Sequence, residues 1–149
     1  MTITDLVGMT LRAAGAGMIL LAFVHIPIAR HLQWREESAR LSPANASIFG
    51  VHAFFICLVL VLMGLPALFA PQLFLAPSTG GAWASWSYAT FWAARMLAQW
   101  FVYPSHLWRG KPLETRLHVL FSVIWMALTG VFGYCGVLQL RGTATAGWG

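Results

Sequence analysis

The amino-acid sequence predicts an all-α protein, an integral membrane four-helix antiparallel bundle. Of its 149 residues, 59% are hydrophobic and 9% are charged, and the mean hydropathy is +0.72. Soluble domains carry about a quarter charged residues, so this chain lacks the charge needed to cover a water-facing surface. Its apolar residues form four long runs joined by short connections. Short connections between long apolar helices are typical of an up-and-down bundle in a membrane.

Each of the four runs is long enough to cross a bilayer, which takes about 20 apolar residues. Ser42 and Pro43 are typical of a helix N-terminus, and Pro71 and Pro104 follow the second and third runs. We therefore expect one transmembrane domain over residues 1–149. The predicted spans are residues 6–29, 43–70, 82–103 and 113–140.

The charges in the connections predict the orientation. Six of the nine Lys and Arg residues lie in residues 30–40 and 109–116, whereas residues 71–81 carry no charge. The positive-inside rule places the two basic connections in the cytoplasm and both termini on the non-cytoplasmic side, as in a bacterial inner membrane. Tyr103 and Trp108 are expected as interfacial anchors on the cytoplasmic side. Because the bases follow this pattern and form no patch on a soluble face, we expect no nucleic-acid partner.

Small residues predict where helices touch in a membrane, because they let two backbones approach closely. Glycine occurs within the first predicted span at Gly15 and Gly17, and within the last at Gly130 and Gly133. We expect these four glycines at helix contacts.

Five polar side chains lie within the predicted spans at similar depth: His25, His52, Arg95, Gln99 and His118. A rise of 1.5 Å per residue places them about 8 to 14 Å from the cytoplasmic ends of their helices. Arg95 and Gln99 are four residues apart and so share one helix face. Membrane helices tolerate few such groups, so this layer predicts a functional site.

Neutral imidazoles are good ligands for haem iron, copper and zinc. Two histidines from facing helices suit a b-type haem, and three suit an Fe, Cu or Zn centre. The second and fourth helices of such a bundle are diagonal, which makes His52 and His118 the expected pair and His25 a third or replacement ligand. Arg95 and Gln99 are expected to neutralise or hydrogen-bond the bound group, such as a haem propionate, a lipid phosphate or a quinone oxygen.

Apart from Glu114, at the start of the fourth span, no Asp or Glu lies within a predicted span; the other acids are Asp5, Glu36 and Glu37. For a single chain, this excludes carboxylate-based cation antiport, a di-iron carboxylate site and a glycosidase with paired acids. It also leaves Arg95 without an acidic partner in the membrane. A buried guanidinium without a counter-ion is costly, which favours an acceptor group supplied by a ligand.

These features favour a membrane protein that holds a redox cofactor in the cytoplasmic half of the bundle. It would act in electron transfer, or as an oxidoreductase on a lipophilic substrate such as a quinone. Two alternatives stay open. One is a non-enzymatic accessory or assembly subunit of a homo-oligomer or larger membrane complex. The other is a channel or transporter for a small neutral or anionic solute, with Arg95 as the selective charge.

Overall fold

The computed structural model describes residues 2–146, which are helical over most of their length and contain no strand. Besides the α-helices, these residues include a π-helical turn, Ala98–Val102, and a 3₁₀ turn, Ser105–Leu107. The all-α prediction is confirmed for these residues. The helices are α1 (Ile3–His31), α2 (Trp34–Ala39), α3 (Pro43–Phe69), α4 (Gln72–Leu75), α5 (Thr79–Leu97) and α6 (Pro112–Ala146).

Two serines, Ser42 and Ser78, cap the N-termini of α3 and α5. The Ser42 hydroxyl accepts a hydrogen bond from the Asn45 N–H at 3.4 Å, and Pro43 occupies the first turn of α3. The Ser78 hydroxyl accepts from the Gly81 N–H at 3.0 Å at the start of α5. Each bond satisfies one of the backbone donors that a helix leaves unpaired at its N-terminus. Local sequence therefore determines where these two helices begin.

Within the described residues, three helices are long and apolar enough to cross a membrane: Ile3–Arg30, Pro43–Phe69 and Pro112–Gly142. They indicate an integral membrane protein in a lipid bilayer. Helix α5 covers most of the third predicted span but is not among these three; it has 19 residues and includes Arg95. The fourth crossing stays a prediction, as does the side of the membrane that each terminus faces.

The chain divides into two compact units. Met9–Pro71 contains most of α1 together with α2 and α3, and is called the α1–α3 unit. The remainder contains α4, α5 and α6, and is called the α5–α6 unit. The packing of the two units into one four-helix bundle stays a prediction.

Helices α1 and α3 of the first unit run antiparallel and touch at glycines. A Cβ atom placed on Gly15 would lie 2.7 Å from the Gly64 carbonyl oxygen and 2.5 Å from the Leu68 nitrogen. No larger residue fits there without moving the backbone, which confirms the predicted contact at Gly15. Beside it, Arg12 Nη1 donates to the Leu68 carbonyl oxygen at 3.1 Å. That carbonyl belongs to the last turn of α3, where no residue of the helix can pair with it.

Helices α5 and α6 of the α5–α6 unit also run antiparallel, because residues nearer the start of α5 contact residues further along α6. Trp92 stacks on Trp125 at 5.0 Å between ring centroids, and Tyr88 meets Phe132 at 4.9 Å. Near the start of α5, the Gln139 side chain accepts from the Ser78 N–H at 2.8 Å. Aromatic rings therefore fill the middle of this helix pair, and a glutamine joins one end.

Gly17, Gly130 and Gly133 make no helix contact within their own units, so the prediction was wrong for such contacts, whereas contacts with the other unit stay a prediction. No neighbouring atom lies within 4 Å of a Cβ placed on any of the three. Gly136 instead lies against the neighbouring helix, where an added Cβ would stand 2.7 Å from the Trp86 ring. A small residue permits close approach only on the face that meets another helix, and the occurrence of glycine does not reveal that face.

Candidate functional site

The α5–α6 unit brings together three of the five predicted site residues: Arg95, Gln99 and His118. Arg95 Nη1 donates to Gln99 Oε1 at 3.3 Å, and Gln99 Nε2 lies 3.0 Å from His118 Nδ1. Gln99 is 8% exposed and so lies in the interior between the two helices. A continuous hydrogen-bonded chain therefore joins a cation on α5 to an imidazole on α6.

Gln99 lies in the π turn that continues α5. Single π turns are rare within helices and occur frequently at functional sites. The turn ends at Val102, and Tyr103 follows in extended backbone conformation. The π turn thus lies at the end of the helical segment, and Gln99 is its buried residue.

The hydrogen-bond donors along this chain determine where His118 carries its proton. A guanidinium can only donate, so the Gln99 side-chain oxygen faces Arg95 and the Gln99 NH₂ group faces His118. An amide NH₂ group can only donate, so His118 Nδ1 accepts. The neutral ring therefore carries its proton on Nε2, where it is available to an acceptor group of a ligand.

Aromatic rings lie against both ends of this hydrogen-bonded chain, at His118 and at Arg95. Trp108 stacks on the His118 ring with centroids 4.3 Å apart and planes 13° from parallel. The Arg95 guanidinium carbon lies 5.2 Å from the Trp125 ring centroid and 5.6 Å from that of Tyr103. The faces of aromatic rings attract cations, so these two rings stabilise the charge of Arg95.

No carboxylate pairs with Arg95 among residues 2–146, where the one ion pair joins Arg40 to Glu37 at 3.1 Å. Ring faces and one amide oxygen are weaker partners for a half-buried cation than a carboxylate would be. Arg95 therefore has no carboxylate partner among these residues, although the acidic residue Glu114 lines the cavity that adjoins the site.

A cavity of about 200 Å³ lies beside His118. Whole drug-sized ligands occupy pockets of about 300 to 1,000 Å³, so this cavity suits a head group or a single ring. Trp108 is among the residues that line the cavity, and its indole N–H is buried without a hydrogen-bond partner among the described residues. The lining residues are Gln99, Tyr103, Leu107, Trp108, Glu114, Leu117, His118 and Phe121.

The other two predicted site residues, His25 and His52, belong to the α1–α3 unit. His25 Nδ1 lies 2.7 Å from the Leu21 carbonyl oxygen, and His52 Nδ1 lies 2.8 Å from that of Ile48. A carbonyl oxygen can only accept, so both rings carry the proton on Nδ1 and present Nε2 as an acceptor. Both rings are thus the Nδ1–H tautomer, whereas His118 is the Nε2–H tautomer. His25 is half-buried, and His52 is exposed on α3.

Among the side chains that the structure describes, no three His, Cys, Asp or Glu lie together as a metal site. The predicted metal centre of His25, His52 and His118 therefore has no support from these residues and stays a prediction. A histidine that ligates a metal through Nε2 donates its Nδ1–H to a carbonyl or carboxylate. His25 and His52 meet this condition, whereas the bond from Gln99 keeps His118 in the other tautomer.

Two residues of structural importance were not predicted as part of the site. Trp108 was expected as an interfacial anchor, yet its ring covers His118. Gln139 is 1% exposed, and its side-chain nitrogen donates to the Ala76 carbonyl oxygen at 3.0 Å. Gln139 could have been found from the sequence, because it is a polar residue within an apolar run. Nothing in the sequence relates Trp108 to His118.

Comparisons of the chain with protein-family models, curated proteins and solved structures give no match. What the site can bind follows from its own groups. His118, Trp108 and Glu114 line a mostly apolar cavity, and Arg95 lies on the other side of Gln99 from His118.

Proposed function

We propose that this protein binds a lipophilic molecule in the membrane at the Arg95–Gln99–His118 site, through a carbonyl or anionic head group. We further propose that it takes part in electron transfer or oxidoreduction of that molecule. The observation that supports the proposal is the direction of the hydrogen bonds, which leaves the Nε2–H of His118 as a donor. A quinone meets the requirements of this site, because its body is apolar and its carbonyl oxygens accept hydrogen bonds.

The charge of Arg95 supports a role in redox chemistry. When a quinone is reduced, negative charge builds up on its oxygen atoms. A preorganised cation and donor near those atoms stabilise that charge most strongly where water is excluded. Gln99 transmits the field of Arg95 toward His118, since hydrogen bonds in a chain polarise one another.

Binding of a short-chain quinone to the purified protein in detergent tests the proposal, with tryptophan fluorescence quenching as the readout. His118→Phe retains a ring that can stack on Trp108 but removes the donor. One hydrogen bond contributes about 1 kcal/mol, so we expect affinity to fall about fivefold. His106→Phe, in the exposed 3₁₀ turn, is the matched control and should bind like the wild type. Equal affinity of the wild type and His118→Phe would contradict the proposal.

A haem or a single metal ion at His25 or His52 is the second candidate. The bonds from their Nδ1–H groups to backbone carbonyls favour it, because they leave Nε2 as a ligand atom. A Soret band in the visible spectrum tests for haem, and elemental analysis tests for Fe, Cu and Zn. We expect His25→Ala or His52→Ala to remove the bound group and His118→Ala to retain it. A protein that carries no cofactor and binds no quinone would favour the accessory-subunit alternative.

A further inference from the structure

The connection between the π turn and α6, residues 104–110, contains the 3₁₀ turn Ser105–Leu107 and carries the ring of Trp108 onto His118. At one end of this 104–110 segment, Tyr103 and Pro104 have extended backbone, with ψ of 115° and 141°. At the other end, Gly110 has φ of +81°, a left-handed conformation that glycine adopts without steric cost. Both ends are therefore changes of backbone direction outside the α-helices.

Few contacts hold the 104–110 segment to the rest of the α5–α6 unit. Its backbone hydrogen bonds all stay within residues 104–111. One hydrogen bond of the described residues reaches beyond them, from Thr115 Oγ1 on α6 to the Trp108 carbonyl oxygen at 2.7 Å. Trp108 is half-buried, and every other residue of the segment is exposed. A segment with local hydrogen bonds and exposed residues opens at low free-energy cost.

Trp108 occupies its position at a cost. Its ring stacks on His118 with centroids 4.3 Å apart and planes 13° from parallel, which stabilises the segment where it lies. The indole N–H is buried there without a hydrogen-bond partner among the described residues. An unsatisfied buried donor costs about as much free energy as one hydrogen bond or one stacked pair contributes. Opening would return this donor to a solvent that can pair with it, so the closed position is only weakly favoured.

We propose that the 104–110 segment is a lid that opens and uncovers the His118 ring, with the Thr115 hydroxyl as its latch. The segment would swing at Pro104 and Gly110 and carry Leu107 and Trp108 with it. Both of these residues line the cavity of about 200 Å³ beside His118. Whole small ligands need about 300 to 1,000 Å³, so movement of this wall would make room for one. Entry of a quinone by this route rests on the function proposed above, whereas the opening itself does not.

Chemical modification of His118 measures the opening without any ligand. Diethyl pyrocarbonate is added to the full-length protein in detergent, and mass spectrometry of the peptides gives the rate at His118, with the exposed His106 as the reference for reagent activity. Thr115→Val removes the latch hydroxyl at nearly constant volume and should raise the His118 rate about fivefold. Thr115→Ser keeps the hydroxyl and should react like the wild type.

Thr129→Val is the matched control, because Thr129 Oγ1 donates to the Trp125 carbonyl oxygen within α6 at 2.8 Å. It loses the same group and should leave the His118 rate unchanged. Equal rates in the wild type and Thr115→Val, or an equal rise in Thr129→Val, would overturn the proposal. This comparison needs no change at Trp108.

A double-mutant cycle separates a latch from a loosened helix. Trp108→Ala removes the ring that covers His118 and should raise its rate at least as much as Thr115→Val does. Adding Thr115→Val to Trp108→Ala should have no further effect, because the latch then holds no ring over His118. A Thr115→Val effect of the same size in both backgrounds would mean that the start of α6 has loosened, and would overturn the lid.

Stopped-flow mixing with the short-chain quinone relates the lid to binding. Thr115→Val should speed both association and dissociation about fivefold with little change in Kd, because the latch is lost from the free and the bound protein alike. Unchanged rates together with faster modification of His118 would overturn entry through the lid. A protein that binds no quinone would contradict the proposed function alone, since modification of His118 still decides whether the lid exists.

Discussion

Gln99 on the π turn donates a hydrogen bond to Nδ1 of His118 on α6 across 3.0 Å. The bond connects two helices, and its direction follows from the Arg95 guanidinium on the other side of the same amide. One buried glutamine thereby determines the tautomer of His118, a residue that lines the adjoining cavity.

Gln99→Glu should reverse the tautomer of His118. A carboxylate can only accept, so it would draw the His118 proton to Nδ1 and leave Nε2 as an acceptor. We expect quinone affinity to fall about fivefold or more. The ¹⁵N chemical shifts of the His118 ring should show the proton moving from Nε2 to Nδ1. Gln72→Glu, on an exposed position of α4, should change neither quantity. Unchanged ring shifts in Gln99→Glu would refute the assigned hydrogen-bond direction.

Arg95→Lys should not preserve the site although it preserves the charge. The planar guanidinium lies near the Trp125 and Tyr103 rings while it bonds Gln99. A flexible ammonium is a point charge and does not reproduce this geometry. We expect quinone affinity to fall about three- to tenfold, measured by the same titration. Arg109→Lys, exposed in the connection before α6, is the control. If Arg95→Lys binds as well as the wild type, the planar contacts have no role in binding.

Gly15→Leu should destabilise the α1–α3 unit, whereas Gly17→Leu should not. A side chain on Gly15 would meet the backbone of Gly64 and Leu68, while one on Gly17 has no neighbour within 4 Å. Overpacking of this kind costs about 1 to 3 kcal/mol. Thermal unfolding in detergent should show a lower midpoint for Gly15→Leu alone. Equal midpoints for the two variants would refute the contact between α1 and α3 at this position.

Labelling of single cysteines tests the predicted orientation, in a protein whose Cys57 and Cys135 are replaced by alanine. We expect Gln72→Cys to react with a membrane-impermeant maleimide added to intact cells. Lys111→Cys should react only after the membrane is opened, because its connection is basic. Labelling at position 111 but not at position 72 in intact cells would reverse the predicted topology.

Local chemistry was enough to predict several parts of the molecule. Long apolar runs predicted the helices, and Ser42 predicted the start of α3, because a cap acts within one turn. The spacing of Arg95 and Gln99 placed both on one face of a helix. Equal depth in two antiparallel helices then placed His118 near them, and the structure brings the three together.

Three properties depended on contacts between residues far apart in the sequence. The tautomer of His118 depends on which way the Gln99 amide is turned, and Arg95 on the neighbouring turn decides that. Gly15 lies at a helix contact and Gly17 does not, because only one face of α1 meets α3. The cover over His118 comes from Trp108, whose ring position depends on the path of the connection before α6. Composition and periodicity act along the chain, whereas hydrogen-bond direction and ring stacking arise only when separate segments pack against one another.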